Sequence, residues 1–251
     1  MYTDPNLPRH VYGWHSEALG LHMPIVRYGN WGRPLLMFPT AASDVLDNER
    51  FYLIKSIEHH ILAGRCTVFA IETVNRLSWM DESIDPRESG RRQALYSRYI
   101  ENEVVPHIRH IVGNPHARIG ATGASFGAFH AANAMFRRPD QFDTLIAMSG
   151  FYDLNPGYTR GLSSEDIYFN NPMAYVRNMQ DSHQLDLLRH SSINIICGQG
   201  AYERPDKSAA FSQLLWDKGI WNNLDLWGHD VDHDWPWWRK MLDQYITRVG
   251  W

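Results

Sequence analysis

The stretch Arg118–Asn133, RIGATGASFGAFHAAN, restricts the fold of this chain more than any other. An apolar run, Ile119 to Thr122, leads into Gly123-Ala124-Ser125-Phe126-Gly127, and small residues from Ala128 to Met135 continue it with helical character. The pattern predicts a strand, a sharp turn with serine at its apex, and a helix; G-x-S-x-G in that setting is a nucleophile elbow. A serine at such an apex adopts a strained backbone conformation to hold its hydroxyl above the sheet. The residues two before and two after it run too close to neighbouring backbone to carry side chains, which accounts for Gly123 and Gly127. The first N–H groups of the following helix then face the serine and favour negative charge developing there. Without its flanks the motif reduces to a glycine-rich turn with an incidental serine.

An elbow needs a sheet around it, and the chain alternates accordingly. His10 to Leu19 and His22 to Tyr28 read as two strands parted by Gly20, and Pro34 to Pro39 as a short buried strand. After Thr40-Ala41-Ala42-Ser43 a helix is predicted to about Ala63, with Phe51, Ile54, Ile57 and Ile61 at helical spacing. Thr67 to Glu72 is a further buried strand, followed by a polar loop with Ser78 and Trp79. A long helix from about Arg87 to Val112 carries Pro106, where a kink is expected. Beyond the elbow come strands Phe142–Met148, Ile193–Cys197 and Asn223–Trp227, and helices Ser208–Lys218 and a last one marked by Trp238, Met241, Leu242, Tyr245 and Val249. The least regular part, 151–190, reads as a cap or insertion over one sheet edge. The expectation is one α/β domain over 1–251, with a mostly parallel central sheet and helices on both faces. Catalytic groups then belong at the C-terminal ends of the strands.

The totals exclude several other classes. A net charge of −4 leaves no broad electrostatic case for nucleic acid. The chain has no apolar run long enough to span a membrane. Its first residues lack the basic start and apolar core of a signal peptide, so the expectation is a cytoplasmic protein. Cys66 and Cys197, each beside a predicted strand, read as buried thiols rather than a disulfide or a metal site. A homo-oligomer stays open.

A serine hydroxyl needs a base, and the base an orienting carboxylate. In this kind of fold the order along the chain is serine, acid, histidine. The histidine is sought after the last strand, in Gly228-His229-Asp230-Val231-Asp232-His233-Asp234-Trp235. His233, just before the final helix, is favoured over His229, which directly follows the strand. A metal reading of the same cluster lacks a further ligand motif elsewhere, and a solvated acidic loop is the remaining alternative. The acid is sought after Cys197, where Glu203 and Asp206 are available. Asp206 stands where a helix N-cap is wanted, which favours Glu203 for catalysis. An oxyanion hole takes one N–H from Phe126 and another from the loop after Pro39, with Ala41 the expected donor and Ala42 next to it. His130 reads as a packed, hydrogen-bonded histidine rather than a second base, and His59-His60 as partly exposed on a helix. Trp79, Trp235 and Trp237 are candidates to wall an acyl or aromatic pocket, with core or rim packing as the alternative.

With these residues in view, the chain resembles the putative-esterase family of α/β hydrolases, which includes esterase D (S-formylglutathione hydrolase), feruloyl esterases and mycolyltransferases. The likeness runs from about Pro34 to the C-terminus. It rests on Phe38-Pro-Thr, Gly123-Ala-Ser-Phe-Gly-Ala-Phe-His-Ala, Tyr168-Phe-Asn-Asn-Pro and His233-Asp-Trp-Pro-Trp-Trp. It implies the α/β-hydrolase fold, Ser125 as nucleophile, His233 as base and an acid in the Glu203 loop. The chain departs from the commoner pattern in having Gly198-Gln-Gly-Ala where an aspartate usually follows the strand, and Pro39-Thr40 in place of a His-Gly pair. The activity so implied is that of a serine carboxylesterase on a small-molecule ester, without a cofactor. The rivals are an acyltransferase using the same residues and a catalytically silent binding protein of the same fold.

Overall fold

The computed structural model describes residues 3–41 and 43–251. Eight strands form one sheet in the order β1-β2-β4-β3-β5-β6-β7-β8. The strands are Arg9–His15 (β1), His22–Tyr28 (β2), Arg33–Phe38 (β3), Cys66–Ile71 (β4), Ile119–Ala124 (β5), Phe142–Met148 (β6), Ser192–Cys197 (β7) and Asn223–Leu226 (β8). β1 and β2 pair antiparallel, β2 joins β4 antiparallel, and all pairings from β4 to β8 are parallel. The mostly parallel sheet expected from the alternation is therefore present.

Strand periodicity divides the core into two layers. Leu36, Phe38, Phe69, Ile71, Ala121, Leu145, Ala147, Ile193 and Ile195 face one side. The helices there are Pro86–Tyr99 (α3), Val105–Ile111 (α4), Phe126–Arg137 (α5), Pro172–Asn178 (α7), Ser182–Arg189 (α8) and Pro205–Asp217 (α9). Leu35, Met37, Val68, Ala70, Ala124, Ile146, Met148 and Ile196 face the other side, under Leu53–Leu62 (α2) and Trp235–Arg248 (α10). Strands buried on both faces read as continuous apolar runs, which is why β4 through β7 were legible as strands at all. Cys66 and Cys197 are free and buried. Among the described residues no helix is long and apolar enough to cross a membrane.

Four elements differ from the sequence reading, each for a local reason. β1 stops at His15 because Ser16 to Leu21 closes a turn, with Ser16 N–H bonded to the Leu21 carbonyl. Glu103 holds that turn by accepting from Trp14 Nε1, Ser16 Oγ and Ala18 N. The helix expected up to Ala63 is two pieces, Asp47–Arg50 (α1) and α2, broken at Tyr52, which has φ 63°. The first piece turns the buried Asp47 and Asn48 toward the loop after β3, while the second presents Ile54, Ile57 and Ile61 to the sheet. The long helix is continuous through Pro106 but contains a π-helical turn, Ile100–Val104, between α3 and α4. Pro106 has no N–H for the Asn102 carbonyl, and the wider turn takes up the mismatch. In the loop with Ser78 and Trp79 both of these side chains are buried, while Leu77 and Met80 beside them are exposed.

Residues 151–190 divide in two. The first part, up to the short helix Glu165–Tyr168 (α6), contributes Phe151, Leu154, Tyr158 and Ile167 to a third cluster with Trp79, Phe126 and Phe129. The second part, α7 and α8, buries Val176 and Leu188 in the main core like any helix connecting two parallel strands.

Candidate active site at the strand C-terminal ends

Ser125 lies between β5 and α5 with φ 57° and ψ −118°. This backbone region is costly for any residue with a side chain, by roughly 1–3 kcal/mol. The turn closes because its glycines admit contacts that no other residue would. A Cβ on Gly123 would fall 2.4 Å from the carbonyl carbon of Gly127, and one on Gly127 would fall 2.7 Å from the Phe38 oxygen. The Ser125 N–H bonds the Met148 carbonyl at 2.9 Å, tying the apex to β6. Ser125 is half-buried, and the start of α5 points its N–H groups toward it.

The close approach of Gly127 to Phe38 and Pro39 sets the loop after β3 against the elbow. Phe38, Thr40 and Ala41 are each anchored by a buried side chain. Asn48 donates to the Phe38 carbonyl at 3.3 Å. Asp47 Oδ2 accepts from Thr40 N at 3.0 Å and from Thr40 Oγ1 at 2.8 Å. Asn75 donates to the Ala41 carbonyl at 2.8 Å. The Thr40 N–H is thus engaged by Asp47, and Ala41, the expected oxyanion donor, packs against the cluster that contains Phe126. Ala42 lies outside the described residues.

Glu203 and His233 meet directly. Nδ1 of His233 is 3.3 Å from Glu203 Oε2; the Glu203 side chain has no exposed surface and that of His233 is 25% exposed. The other oxygen of Glu203 accepts from Ser149 Oγ at 2.5 Å and from Gly198 N at 3.2 Å, and the Cys197 thiol donates to Oε2 at 3.3 Å. Trp238 Nε1 in turn donates to Ser149 Oγ at 2.9 Å. Burial alone would raise the Glu203 pKa, but the hydrogen bonds from His233 and Ser149 outweigh it and hold the carboxyl below its ordinary value. Glu203 is therefore a carboxylate at neutral pH. The turn after β7 makes this possible: Tyr202 takes φ 63°, Glu203 N–H bonds the Gly200 carbonyl, and the carboxylate folds back to the Gly198 amide at the strand's end.

The loop before α10 is fixed against that turn. Gly200 N–H bonds the Val231 carbonyl, His233 N–H bonds the Ala201 carbonyl, and Asp232 Oδ1 accepts from Ala201 N at 2.6 Å. A Cβ on Gly198 would fall 2.1 Å from the Val231 oxygen, so the two loops touch backbone to backbone. Asp234 caps α10 through Trp235 N. His229 and Asp230 are exposed. Asp232 and Asp234 thus hold the backbone of the two loops, and Asp230 faces solvent.

Asp206 is not an N-cap. Arg204 occupies that position and Pro205 begins α9, where its fixed φ suits the first helical residue. Asp206 is exposed and paired with Arg204 at 3.0 Å. Trp79 is buried, bonded through Nε1 to Gln93 and packed with Phe126, Phe129 and Tyr158 beside the elbow. Trp235 is half-buried at the rim, stacked on Phe51 at 4.7 Å. Trp237, also half-buried, carries Lys240 Nζ over its ring.

Two histidine groups have other surroundings. His130 is buried and faces Asn75 at 2.8 Å. His60 is also buried rather than partly exposed as expected, while His59 is exposed; both face Asp243 Oδ1 across α2 and α10. Burial and the neighbouring His59 keep the His60 pKa low, and its Nδ1 accepts from Arg65 at 3.1 Å. Nε2 must then carry the single proton and donate it to Asp243, which leaves no lone pair there for a cation. The group clamps two helices together.

A family model described as Putative esterase matches residues 73–248, well over half of the chain. The chain belongs to the putative esterase family. It is an enzyme of the carboxylic ester hydrolase type with the α/β-hydrolase fold. Among solved structures, a ferulic acid esterase superposes with a TM-score of 0.73 at 17% identity, covering 97% of this chain and 99% of that one. An S-formylglutathione hydrolase from Agrobacterium tumefaciens gives 0.73 at 14% identity, with 98% and 95% covered. MPT51 (FbpC1) of Mycobacterium tuberculosis gives 0.70 at 14%, with 96% and 97% covered. At these identities the likeness is one of fold. No curated protein matches the sequence. Within the putative esterase family the unusual acid loop of this chain still brings a carboxylate to the end of β7, by way of Glu203. The residues that sequence reasoning missed are Asn75, Asp47, Asn48 and Ser149. All are short polar side chains whose partners lie in other loops, and no local pattern marks them.

Proposed function

We propose that this protein is a serine carboxylesterase working through an acyl-enzyme on Ser125. The observation that carries the reading is the Ser125 backbone, held at φ 57° by two glycines with no room for a side chain. Strain of that kind in a residue with a hydroxyl is retained where the hydroxyl has a task. Ser125 Oγ attacks the ester carbonyl while His233 Nε2 takes its proton. Glu203 receives the hydrogen bond from His233 Nδ1, fixes the tautomer and stabilises the imidazolium. The N–H groups of Phe126 and Ala41 bind the oxyanion. His233 then protonates the leaving alcohol, and a water activated by the same histidine clears the acyl group. These steps involve no cofactor.

The aromatic cluster of Trp79, Phe126, Phe151 and Tyr158 suits an apolar or aromatic acyl group. Trp235 forms a rim contact for the alcohol portion in this reading. The test is a fluorophosphonate probe followed by peptide mapping, together with hydrolysis of p-nitrophenyl esters of graded acyl size. Labelling at Ser125 that ester substrate prevents is the expected result. Labelling elsewhere, or none with ester hydrolysis intact, would remove the mechanism. Adding an alcohol acceptor and analysing products separates hydrolysis from acyl transfer.

A further inference from the structure

A buried polar chain holds the loop after β3 from behind. Asn75 is fully buried. Its Nδ2 donates to the Ala41 carbonyl at 2.8 Å, and its Oδ1 lies 2.8 Å from His130 Nε2. The roles of the atoms follow from donor chemistry. A carbonyl only accepts, so the amide end of Asn75 must face Ala41. The oxygen end then faces His130, and the proton between them belongs to His130 Nε2. Burial drives the His130 pKa down to about 3, so the ring is neutral and has one N–H to give. Its other nitrogen, Nδ1, is buried without a partner.

The surroundings make a histidine here expensive. The ring is enclosed by Phe38, Tyr96, Phe126 and Phe129, at centroid distances of 5.9, 5.2, 5.3 and 5.3 Å. A phenylalanine would suit such a cage and leave no unsatisfied nitrogen, whereas a buried polar atom without a partner costs about 1–3 kcal/mol. Among the described residues, the one polar contact the ring makes goes to the side chain that holds Ala41. The same ring also packs against Phe126, which carries the other proposed donor.

We infer that His130 and Asn75 are positioning residues for the oxyanion hole: His130 fixes the orientation of the Asn75 amide, and Asn75 fixes the backbone at Ala41. This rests on the serine-esterase reading given above. Neither side chain touches the reacting atoms. Without the His130 N–H, the Asn75 oxygen is buried with no donor, and the amide is held only through its bond to the Ala41 carbonyl. The oxyanion donor then loses its fixed direction, and a preorganised donor acts mainly on the transition state.

The experiment compares wild type with His130→Phe, His130→Gln and Asn75→Ala. It reads kcat and KM on a p-nitrophenyl ester, the rate of Ser125 phosphonylation by a fluorophosphonate, and Tm. Removing an oxyanion donor outright costs about 10²–10³ in kcat; loosening one should cost less, about tenfold, with KM nearly unchanged. His130→Phe should show that loss, slow phosphonylation in parallel and keep a Tm close to wild type. Asn75→Ala should lose at least as much. Glutamine at 130 carries an amide N–H and should recover part of the rate that phenylalanine does not. Wild-type kcat and phosphonylation in both His130→Phe and Asn75→Ala would overturn the inference, as would a kcat loss that only follows the fraction unfolded. A wild type that neither reacts with the probe nor hydrolyses esters would overturn the reading of the site, and this inference with it.

Discussion

Nδ1 of His233 lies 3.3 Å from Oε2 of Glu203, a carboxylate 30 residues earlier in the chain whose side chain is wholly enclosed. Two loops that share backbone hydrogen bonds bring the pair together, and Ser149, Gly198 and Cys197 each contribute a donor to the same carboxylate. A buried carboxylate with this many donors stays ionised and cannot easily turn away. The pair sits beyond the C-terminal ends of β7 and β8, on the same edge of the parallel sheet as Ser125 after β5.

Ser125→Ala should leave the fold intact and reduce kcat by several orders of magnitude, by roughly 10⁴ or more if it behaves as serine nucleophiles do elsewhere. Alanine relieves none of the backbone strain at φ 57° but fits the same space. Hydrolysis of a p-nitrophenyl ester at the wild-type rate by a mutant of unchanged Tm would exclude Ser125 as nucleophile.

His233→Ala should approach the Ser125→Ala defect, and the double mutant should be little worse than either, because the two act as one unit. His229→Ala should have a small effect, since that side chain is exposed at the end of β8. A larger loss for His229→Ala than for His233→Ala would reverse the assignment. Treatment with a chelator should leave the rate unchanged.

Glu203→Gln keeps the size of the side chain but gives His233 the wrong hydrogen-bond partner. The comparable change in serine proteases costs about 10⁴ in kcat. Trp238→Phe removes the N–H that Ser149 accepts, and should reduce kcat less than Glu203→Gln because the acid keeps its other donors. Asp206→Asn should be close to wild type, since Asp206 is an exposed partner of Arg204 and neither caps α9 nor meets His233. Steady-state kinetics on the three folded variants decides the matter; a large defect confined to Asp206→Asn would contradict the geometry.

The buried histidine predicts acid sensitivity. In the unfolded chain His130 titrates near its ordinary 6.5, while in the folded protein burial lowers this to about 3. A folded pKa below the unfolded one means that stability is whole above pH 6.5 and lost as pH falls toward 3. At ~1.4 kcal/mol per unit the loss by pH 3 is on the order of 4 kcal/mol. Glu203 adds to it, its depressed pKa contributing stability that disappears below about pH 4.5. Denaturant unfolding from pH 7 to pH 4 should therefore show a shallower decline for His130→Phe than for wild type. Parallel curves would mean that His130 does not titrate as the burial requires.

What the sequence determined by itself was everything that local pattern can encode. Apolar runs gave β4 to β7, the G-x-S-x-G motif gave a strained serine between strand and helix, and chain order pointed to Glu203 and His233. These follow from periodicity and from steric limits on backbone, which act over a few residues. Where two loops had to agree, local pattern was silent. The split of the helix at Tyr52 arises because Asp47 and Asn48 face the β3 loop while Ile54 and Ile57 face the sheet. The start of α9 at Pro205 took Asp206 out of the capping position. The Trp238–Ser149–Glu203 chain and the His130–Asn75–Ala41 chain each join residues from three separate segments. Such bonds exist only once the sheet has brought the strand ends together, because a short polar side chain has no preferred partner until burial removes water as the alternative.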